Sequence, residues 1–395
     1  MLFMRPKHLS NPAEKPCVRN GPRYVTTVTK VKGLSKLERQ ELALVQRQYA
    51  FRTNEYYLSL IDWDDPADPI RRLILPDPSE LQQWGNLDPS NEASHMKLEG
   101  LEHKYPSTAL LLVSNVCGGI CRHCFRKRLF LRPGKDLVRN TEAAMDYINE
   151  HEEIDNVLIT GGDPLALNTG KLERIINRIR QIDHVRIIRL GSKMPAFNPY
   201  RILEDQTLLD LAKDCCDGGK QIYLMTHFDH ANELTDLAVK ALKAMHQAGV
   251  VMANQTPIIR GVNDTPHVLA RLCERLSAVG VPPYYVFQCR PASGNKGYAV
   301  PVEEGYEIFE QAKTLGSGLS KRARFTMSHH SGKIEIIGMT DKHIYFKYHR
   351  AAEAHNSGRF MIFKRNPEAY WFDDYDELVG SYQLDLPREL HVPAK

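Results

Sequence analysis

Through the middle of the chain, short apolar runs alternate with segments whose apolar positions recur every three or four residues. TALLLVSNV (108–116), NVLITGG (156–162), VRIIRLGS (185–192), QIYLMTHF (221–228), VVMANQTPII (250–259) and YYVFQCR (284–290) read as buried parallel strands. TEAAMDYINEH, KLERIINRIRQI, LTDLAVKALKAMHQAG and PHVLARLCERLSAVG carry the helical period. Five such helices separate the six strands, and VEEGYEIFEQAKTLG follows the last of them. Strict alternation of strand and helix makes a parallel sheet, either doubly wound or rolled into a barrel. The polar and glycine residues gather at the strands' C-terminal ends: Cys117, Gly161-Gly162-Asp163, Gly191-Ser192, Thr226-His227, Asn254-Gln255 and Arg290. In a barrel those ends meet at one mouth, where such enzymes keep their chemistry. Six units rather than eight predict an α/β fold built as a partial, open-sided (β/α)6 barrel.

The flanks have another texture. Residues 1–105 contain the polar helix KLERQELALVQRQYAF and the Pro/Asp-rich WDDPADPIRRLILPDPSEL, which predicts a helical extension packed against a barrel of residues 106–320. In the last segment, 321–395, RARFTMSHH, KIEIIGM and HIYFKYH alternate like antiparallel strands with turns at SGK and TDK. Beyond 365 the chain reads as irregular.

With 52 basic and 48 acidic residues, the net charge of +4 is too weak and too dispersed to indicate nucleic acid. The N-terminal MLFMRPKHLSNPAEKP lacks the apolar core of a signal peptide, and no run reaches membrane-spanning length. A cytoplasmic location without a membrane partner is the expectation. Eight cysteines among 395 residues are too sparse for a disulfide scaffold, yet three of them fall within eight positions.

Those three, in CGGICRHCFRKR, are Cys117, Cys121 and Cys124, spaced C-x3-C-x2-C. Three thiolates on one loop hold a metal centre with a coordination position left open, as a catalytic centre needs and a structural one avoids. The plainer alternative is a zinc knuckle closed by His123 or a distant cysteine. The position of the loop, directly after the first barrel strand, favours catalysis.

This spacing resembles the signature of the radical S-adenosylmethionine (SAM) enzymes. In order and spacing, GLEHKYPSTALLLVSNVCGGICRHCFRKR, VLITGGDPL, IRLGSKMP, THFDHANE, NQTPIIRGVND and PYYVFQCR resemble the lysine 2,3-aminomutase family from about residue 50 to about residue 340. The resemblance implies a 4Fe-4S cluster on the three cysteines, whose fourth iron takes SAM. It also implies pyridoxal 5′-phosphate (PLP) and the movement of an amino group from the α to the β carbon of an amino acid. An electron donor such as flavodoxin or ferredoxin follows, and a homo-oligomer is compatible with it.

Residue by residue, the resemblance assigns Gly161, Gly162 and Asp163 to the turn that holds the amino group of SAM, with Ser192, His227 and Gln255 as further SAM contacts. Lys333 in SHHSGKIEI takes the place of the lysine that binds PLP, with His329, His330 and Gly332 beside it. Lys104, Tyr105 and His123 fall near the PLP ring and phosphate. The chain departs from the pattern at Thr108, where lysine aminomutases carry a phosphate-binding arginine, and in the run HHSG before the lysine. Each assigned residue has a bland rival: a strand-end turn, a structural histidine, an exposed lysine.

For the substrate, Arg126 matches the arginine that grips the α-carboxylate, a site for planar bidentate recognition. Lysine-specific members hold the distal ammonium with two aspartates. The first follows the cysteine of the sixth strand, where this chain has Arg290. The second precedes the PLP lysine, where it offers Thr326, Ser328 and histidines. The reversal of charge, with Lys296 and Asn295 close to Arg290 in sequence, implies an acidic side chain, as in glutamate 2,3-aminomutase. Aspartate-like or uncharged amino acids stand behind it, unless Arg290 pairs with a protein carboxylate. Two rivals remain at this stage: a radical SAM enzyme without PLP, and a non-catalytic zinc or iron–sulfur protein.

Overall fold

The computed structural model of the protein describes residues 21–131 and 136–383. The N-terminal stretch read for a targeting signal and the end of the Pro-bearing tail lie outside them. No helix among the described residues is long and apolar enough to cross a membrane.

Among these residues a sheet of thirteen strands runs in strict chain order. It opens with a hairpin, β1 (Met96–Leu98) and β2 (Leu101–Tyr105), antiparallel to β3 (Thr108–Ser114). From β3 onward the strands are parallel: β4 (Asn156–Gly161), β5 (Ile187–Ser192), β6 (Gln221–Thr226), β7 (Val251–Pro257), β8 (Pro283–Phe287) and β9 (Arg324–His329). An antiparallel set closes the sheet: β10 (Gly332–Met339), β11 (His343–Ala351), β12 (Phe360–Lys364) and β13 (Leu378–Tyr382). The longer helices are α1 (Lys36–Gln48) before the barrel and then α2 (Thr141–Glu150), α3 (Thr169–Arg180), α4 (Gln206–Asp217), α5 (Asp236–Gln247), α6 (Pro266–Ala278) and α7 (Val302–Leu315) between successive parallel strands.

The six βα units of a partial barrel are therefore present, with three departures from expectation. RARFTMSHH lies parallel to β8, with Tyr285 opposite Arg324 and Phe287 opposite Thr326. Helix α7 is a crossover long enough to return the chain in the same direction, so β9 becomes a seventh parallel strand. The segment before the barrel is not purely helical, because MKLEGLEHKY folds as the edge hairpin β1–β2. The tail read as irregular supplies β13.

Local chemistry starts the helices where the strand ends need them. Asn140, Asn168, Asp205 and Thr235 cap α2 to α5 by accepting from the backbone N–H three residues on. Pro266 opens α6 at a position where its missing N–H costs nothing. In β5 the period of two sorts the faces: Ile188 and Leu190 enter the helix–sheet core with Ile176, Ile179, Leu242 and Met245, while Arg189 and Gly191 turn to the lumen. Two further cores anchor the flanks, one binding α6 and α7 to β9–β12 and one beneath the N-terminal extension. Across the barrel's open side the contacts are polar. Lys104 Nζ donates to His329 O, Ser90 Oγ to Ser328 O at 3.1 Å, and Arg350 to Ser107 and Thr108.

Candidate active site

The cysteine loop leaves β3 at Ser114 and is held by the N-terminal extension. Arg52 Nε donates to Cys117 O (2.8 Å), Asn54 Nδ2 to Gly118 O (3.1 Å), and the Ile120 amide to Arg52 O (2.8 Å). Beneath the loop, the Arg122 guanidinium is buried on the Glu80 carboxylate at 2.7 and 2.9 Å and donates to Ala50 O at 2.8 Å. Lys127 Nζ stands 3.4 Å from the same carboxylate. From the barrel's far side Asn295 Nδ2 reaches His123 O at 2.8 Å. A loop without regular structure is thus fixed at both edges.

Burial pushes the thiols of Cys117, Cys121 and Cys124 above their ordinary range, so a metal centre must supply the charge that makes them thiolates. Compact His/Cys/Asp/Glu groups able to grip one ion are found among the described residues at His103–His151–Glu153, His123–His227–Asp229 and His329–His330–Asp373. The three thiols belong to none of these groups. Three thiols lining one cavity with a coordination position left open suit a catalytic cluster. His123 does not complete a knuckle: its Nε2 is 3.7 Å from Asp229 and its ring stacks on His227 at 5.9 Å. Desolvation lowers its pKa to about 3.

The turn after β4 brings a second wall against the loop. Gly161 has φ +127°, and a Cβ there would come within 2.5 Å of Ser114 O. Asp163 accepts from the amides of Leu165 and Lys193, each at 2.9 Å, and from Ser192 Oγ at 2.8 Å. Its carboxylate, raised to about 6 by burial, ties β4 to β5 and lines the cavity. The Gly161-Gly162 backbone, His227 and Gln255 line the same cavity. Lys193 anchors this end by ion pairs to Asp229 (2.8 Å) and Glu233 (2.6 Å).

Lys333, at the start of β10, lines the cavity at the other side of the lumen. Its Nζ donates to Ser328 Oγ at 3.1 Å and lies 4.7 Å from the rings of both Tyr285 and Phe287. Burial first, then the neighbouring Arg290, Arg189, Lys104 and Arg350, hold its pKa well below that of an ordinary lysine. This favours the neutral amine, which is what attack on an aldehyde needs. Lys104, lowered to about 8 chiefly by burial, and Tyr105 line the same wall. His329 turns away: its Nε2 meets Asp373 at 3.0 Å and its Nδ1 meets Ser331 Oγ at 2.7 Å. Besides Lys104, the basic groups facing the cavity near Lys333 include Arg189 and Arg350.

Between these walls lie the substrate candidates. Arg126 presents its Nε–Nη2 edge to Glu92, with Nη2 at 2.8 Å, so the bidentate face expected to take a carboxylate is already in use. Its Nη1, 3.4 Å from Thr160 Oγ1, is the edge left for a ligand. Arg290 lies flat on Phe125, Cζ 3.6 Å from the ring centre, and its guanidinium makes no hydrogen bond or ion pair among the described residues. Desolvation, partly offset by Glu92, lowers its pKa to about 10. Lys296 is a correction: its ammonium sits 3.3 Å from the Tyr370 ring centre and outside the cavity lining, so it forms no basic pair with Arg290. One cavity of about 320 Å³ collects the three cysteines, the Gly161–Asp163 turn, Ser192, His227, Gln255, Lys104, Tyr105, His123, Arg126, Arg290 and Lys333, and leaves out His329 and His330. The residues missed from the sequence are Glu80, Glu92, Glu102, Phe125, Arg189 and Arg350. Only Arg189, a charge inside an apolar strand, carried a readable signal.

With this geometry in place, similarity to known proteins fixes the class. The family described as "4Fe-4S single cluster domain" matches residues 107–228, the stretch that bears the cysteine loop and the Gly161 turn. An Aquifex aeolicus (strain VF5) protein provisionally named L-lysine 2,3-aminomutase is 53% identical over 92% of this chain and 98% of its own. L-lysine 2,3-aminomutase of Clostridium subterminale is 36% identical over 76% and 72% of the two chains. Glutamate 2,3-aminomutase of Clostridioides difficile (strain 630) is 34% identical over 75% and 69%. The chain belongs to the lysine 2,3-aminomutase family of radical SAM isomerases, enzymes built around a 4Fe-4S cluster and SAM.

Proposed function

We propose that the protein is a PLP-dependent 2,3-aminomutase that acts on L-glutamate, with Cys117, Cys121 and Cys124 as the cluster ligands and Lys333 as the PLP lysine. The observation that carries the substrate is Arg290: a guanidinium lining the cavity, stacked on Phe125, with no carboxylate bound to it among the described residues. When bound, the cluster and SAM supply a hydrogen-abstracting carbon radical, and PLP supplies a conjugated ring that spreads the unpaired electron.

The chain's own residues do the rest. Burial first, and then the surrounding cations, favour the neutral amine of Lys333. Arg126, held by Glu92, presents Nη1 to the α-carboxylate. Arg290 meets the distal carboxylate, which relieves a buried cation that is otherwise unpaired. Phe125, Phe287, Met225, Leu110 and Leu158 line the cavity and exclude water from the reacting carbons. The electron donor is of the flavodoxin or ferredoxin class and the location cytoplasmic on this reading.

One observation favours a second reading. Glu102 lines the same cavity, with Oε2 buried and unpartnered, and burial followed by the charge of Glu92 raises its pKa to about 7. A carboxylate there would suit a substrate with a distal ammonium. The balance of charge opposes it, since Arg290, Lys104, Arg189, Arg350 and Arg126 outnumber Glu92 and Glu102 around the cavity.

The test is a panel of amino acids given to the anaerobically reconstituted enzyme, with β-amino products identified by mass spectrometry. Arg290→Ala should remove the preference for glutamate, while Arg126→Ala impairs every substrate alike. β-Lysine without β-glutamate from the wild type would transfer the assignment to the Glu102 reading.

A further inference from the structure

Near the N-terminal end of β3, away from the cysteines, two guanidinium groups line the cavity and neither is paired with a carboxylate. Arg350 stands opposite Lys333 in the β10–β11 ladder, so one hairpin delivers both residues. Its guanidinium crosses the open side of the barrel, donates to Ser107 Oγ and Thr108 Oγ1 at 3.2 Å each, and lies 4.3 Å from the centre of the Tyr105 ring. Arg189, on β5, points into the same lumen with its Nε buried and without a partner. Neither arginine makes an ion pair among the described residues, and Asp155 acts on Arg189 only through space. Two half-buried cations lining one lumen are unfavourable together, and an anion held between them reverses that.

We infer that Arg350 and Arg189 form the seat for the phosphate of PLP, Arg350 supplying from the C-terminal hairpin the guanidinium that lysine aminomutases carry at the position of Thr108. The inference rests on the PLP reading above and deepens it. Geometry supports the pairing of roles: the same two strands place an amine for the aldehyde and a cation for the phosphate on one wall. His329 and His330, the basic residues nearest Lys333 in sequence, do not line the cavity.

Labelling of Lys333 tests it without any turnover. The full-length, cluster-reconstituted protein is incubated with PLP or with pyridoxal, which lacks the phosphate, then treated with borohydride, and the label is mapped by peptide mass. Arg350→Gln should raise the PLP concentration for half-maximal labelling about ten- to a hundredfold, the loss of one or more charge-assisted hydrogen bonds. Its labelling by pyridoxal should match the wild type, which also shows that the variant is folded. Inorganic phosphate should compete with PLP in the wild type and lose that effect in Arg350→Gln, and Arg189→Gln should behave likewise. Unchanged PLP labelling in Arg350→Gln would overturn the phosphate seat and leave the PLP reading standing. Equal losses for PLP and pyridoxal would also overturn it, assigning Arg350 to the shape of the site. A wild type that takes no label on Lys333 would overturn the PLP reading itself, and the seat with it.

Discussion

Lys333 owes its proposed role to its neighbours more than to its own chemistry. An ordinary lysine is almost wholly protonated at neutral pH, and its reaction with an aldehyde slows about tenfold per pH unit below its pKa of ~10.4. The depressed pKa of Lys333 weakens that dependence. Reductive labelling of residue 333 by a small neutral aldehyde should therefore rise less than tenfold per unit between about pH 7 and pH 9. A tenfold rise per unit would show an ordinary, protonated lysine. Glu80 is the matching case for stability. It neutralises Arg122 and Lys127 beneath the cysteine loop, so Glu80→Gln strands two buried cations. Urea denaturation should show a loss of about 3–5 kcal/mol. A loss below about 1 kcal/mol would mean that water reaches the pair.

At the level of elements, the strand ends carry the site, and the glycines there differ in what they tolerate. Gly161→Ala adds a Cβ 2.5 Å from Ser114 O at φ +127°, so β4 must shift from the cysteine loop. Gly219→Ala, at φ +87° with nothing within 4 Å, costs backbone strain alone. Both should destabilise by roughly 1–3 kcal/mol, but only Gly161→Ala should weaken SAM binding, measured by equilibrium dialysis. Equal SAM affinity in both variants would contradict the placement of the turn. The same strand ends explain what could be read in advance. Buried parallel strands announce themselves as apolar runs, and Gly161 and the cysteines stand out because such runs end on them. Arg350 could not be found that way. It is an exposed-looking position in HIYFKYHR, and only the pairing of β10 with β11 brings it beside Lys333. Glu80 and Glu92 were hidden likewise, since they reach the cysteine loop from an extension that no local pattern ties to it. Lys296 failed for the converse reason: sequence proximity to Arg290 did not survive the turn that lays it on Tyr370.

At the scale of the whole molecule, three walls converge on one cavity: the cysteine loop with its N-terminal clamp, the strand ends of β4 to β8, and the C-terminal hairpin with Lys333. Removing Cys117, Cys121 or Cys124 should abolish iron binding and reductive SAM cleavage. Replacing Cys215 or Cys273, packed in helices α4 and α6, should not. Iron and sulfide analysis of anaerobically purified variants checks this, and a triad variant with a full iron complement would refute the ligand set. The central claim is that Arg290 selects an acidic substrate. A charge-assisted hydrogen bond contributes about 1.5–3 kcal/mol, and each ~1.4 kcal/mol is tenfold. The most direct measurement is a competition in one vessel: equimolar L-glutamate and L-lysine, the reconstituted wild type, and the ratio of β-glutamate to β-lysine formed at early times. A ratio above about ten in favour of β-glutamate, falling towards unity in Arg290→Ala, is the predicted result. An excess of β-lysine from the wild type would contradict it.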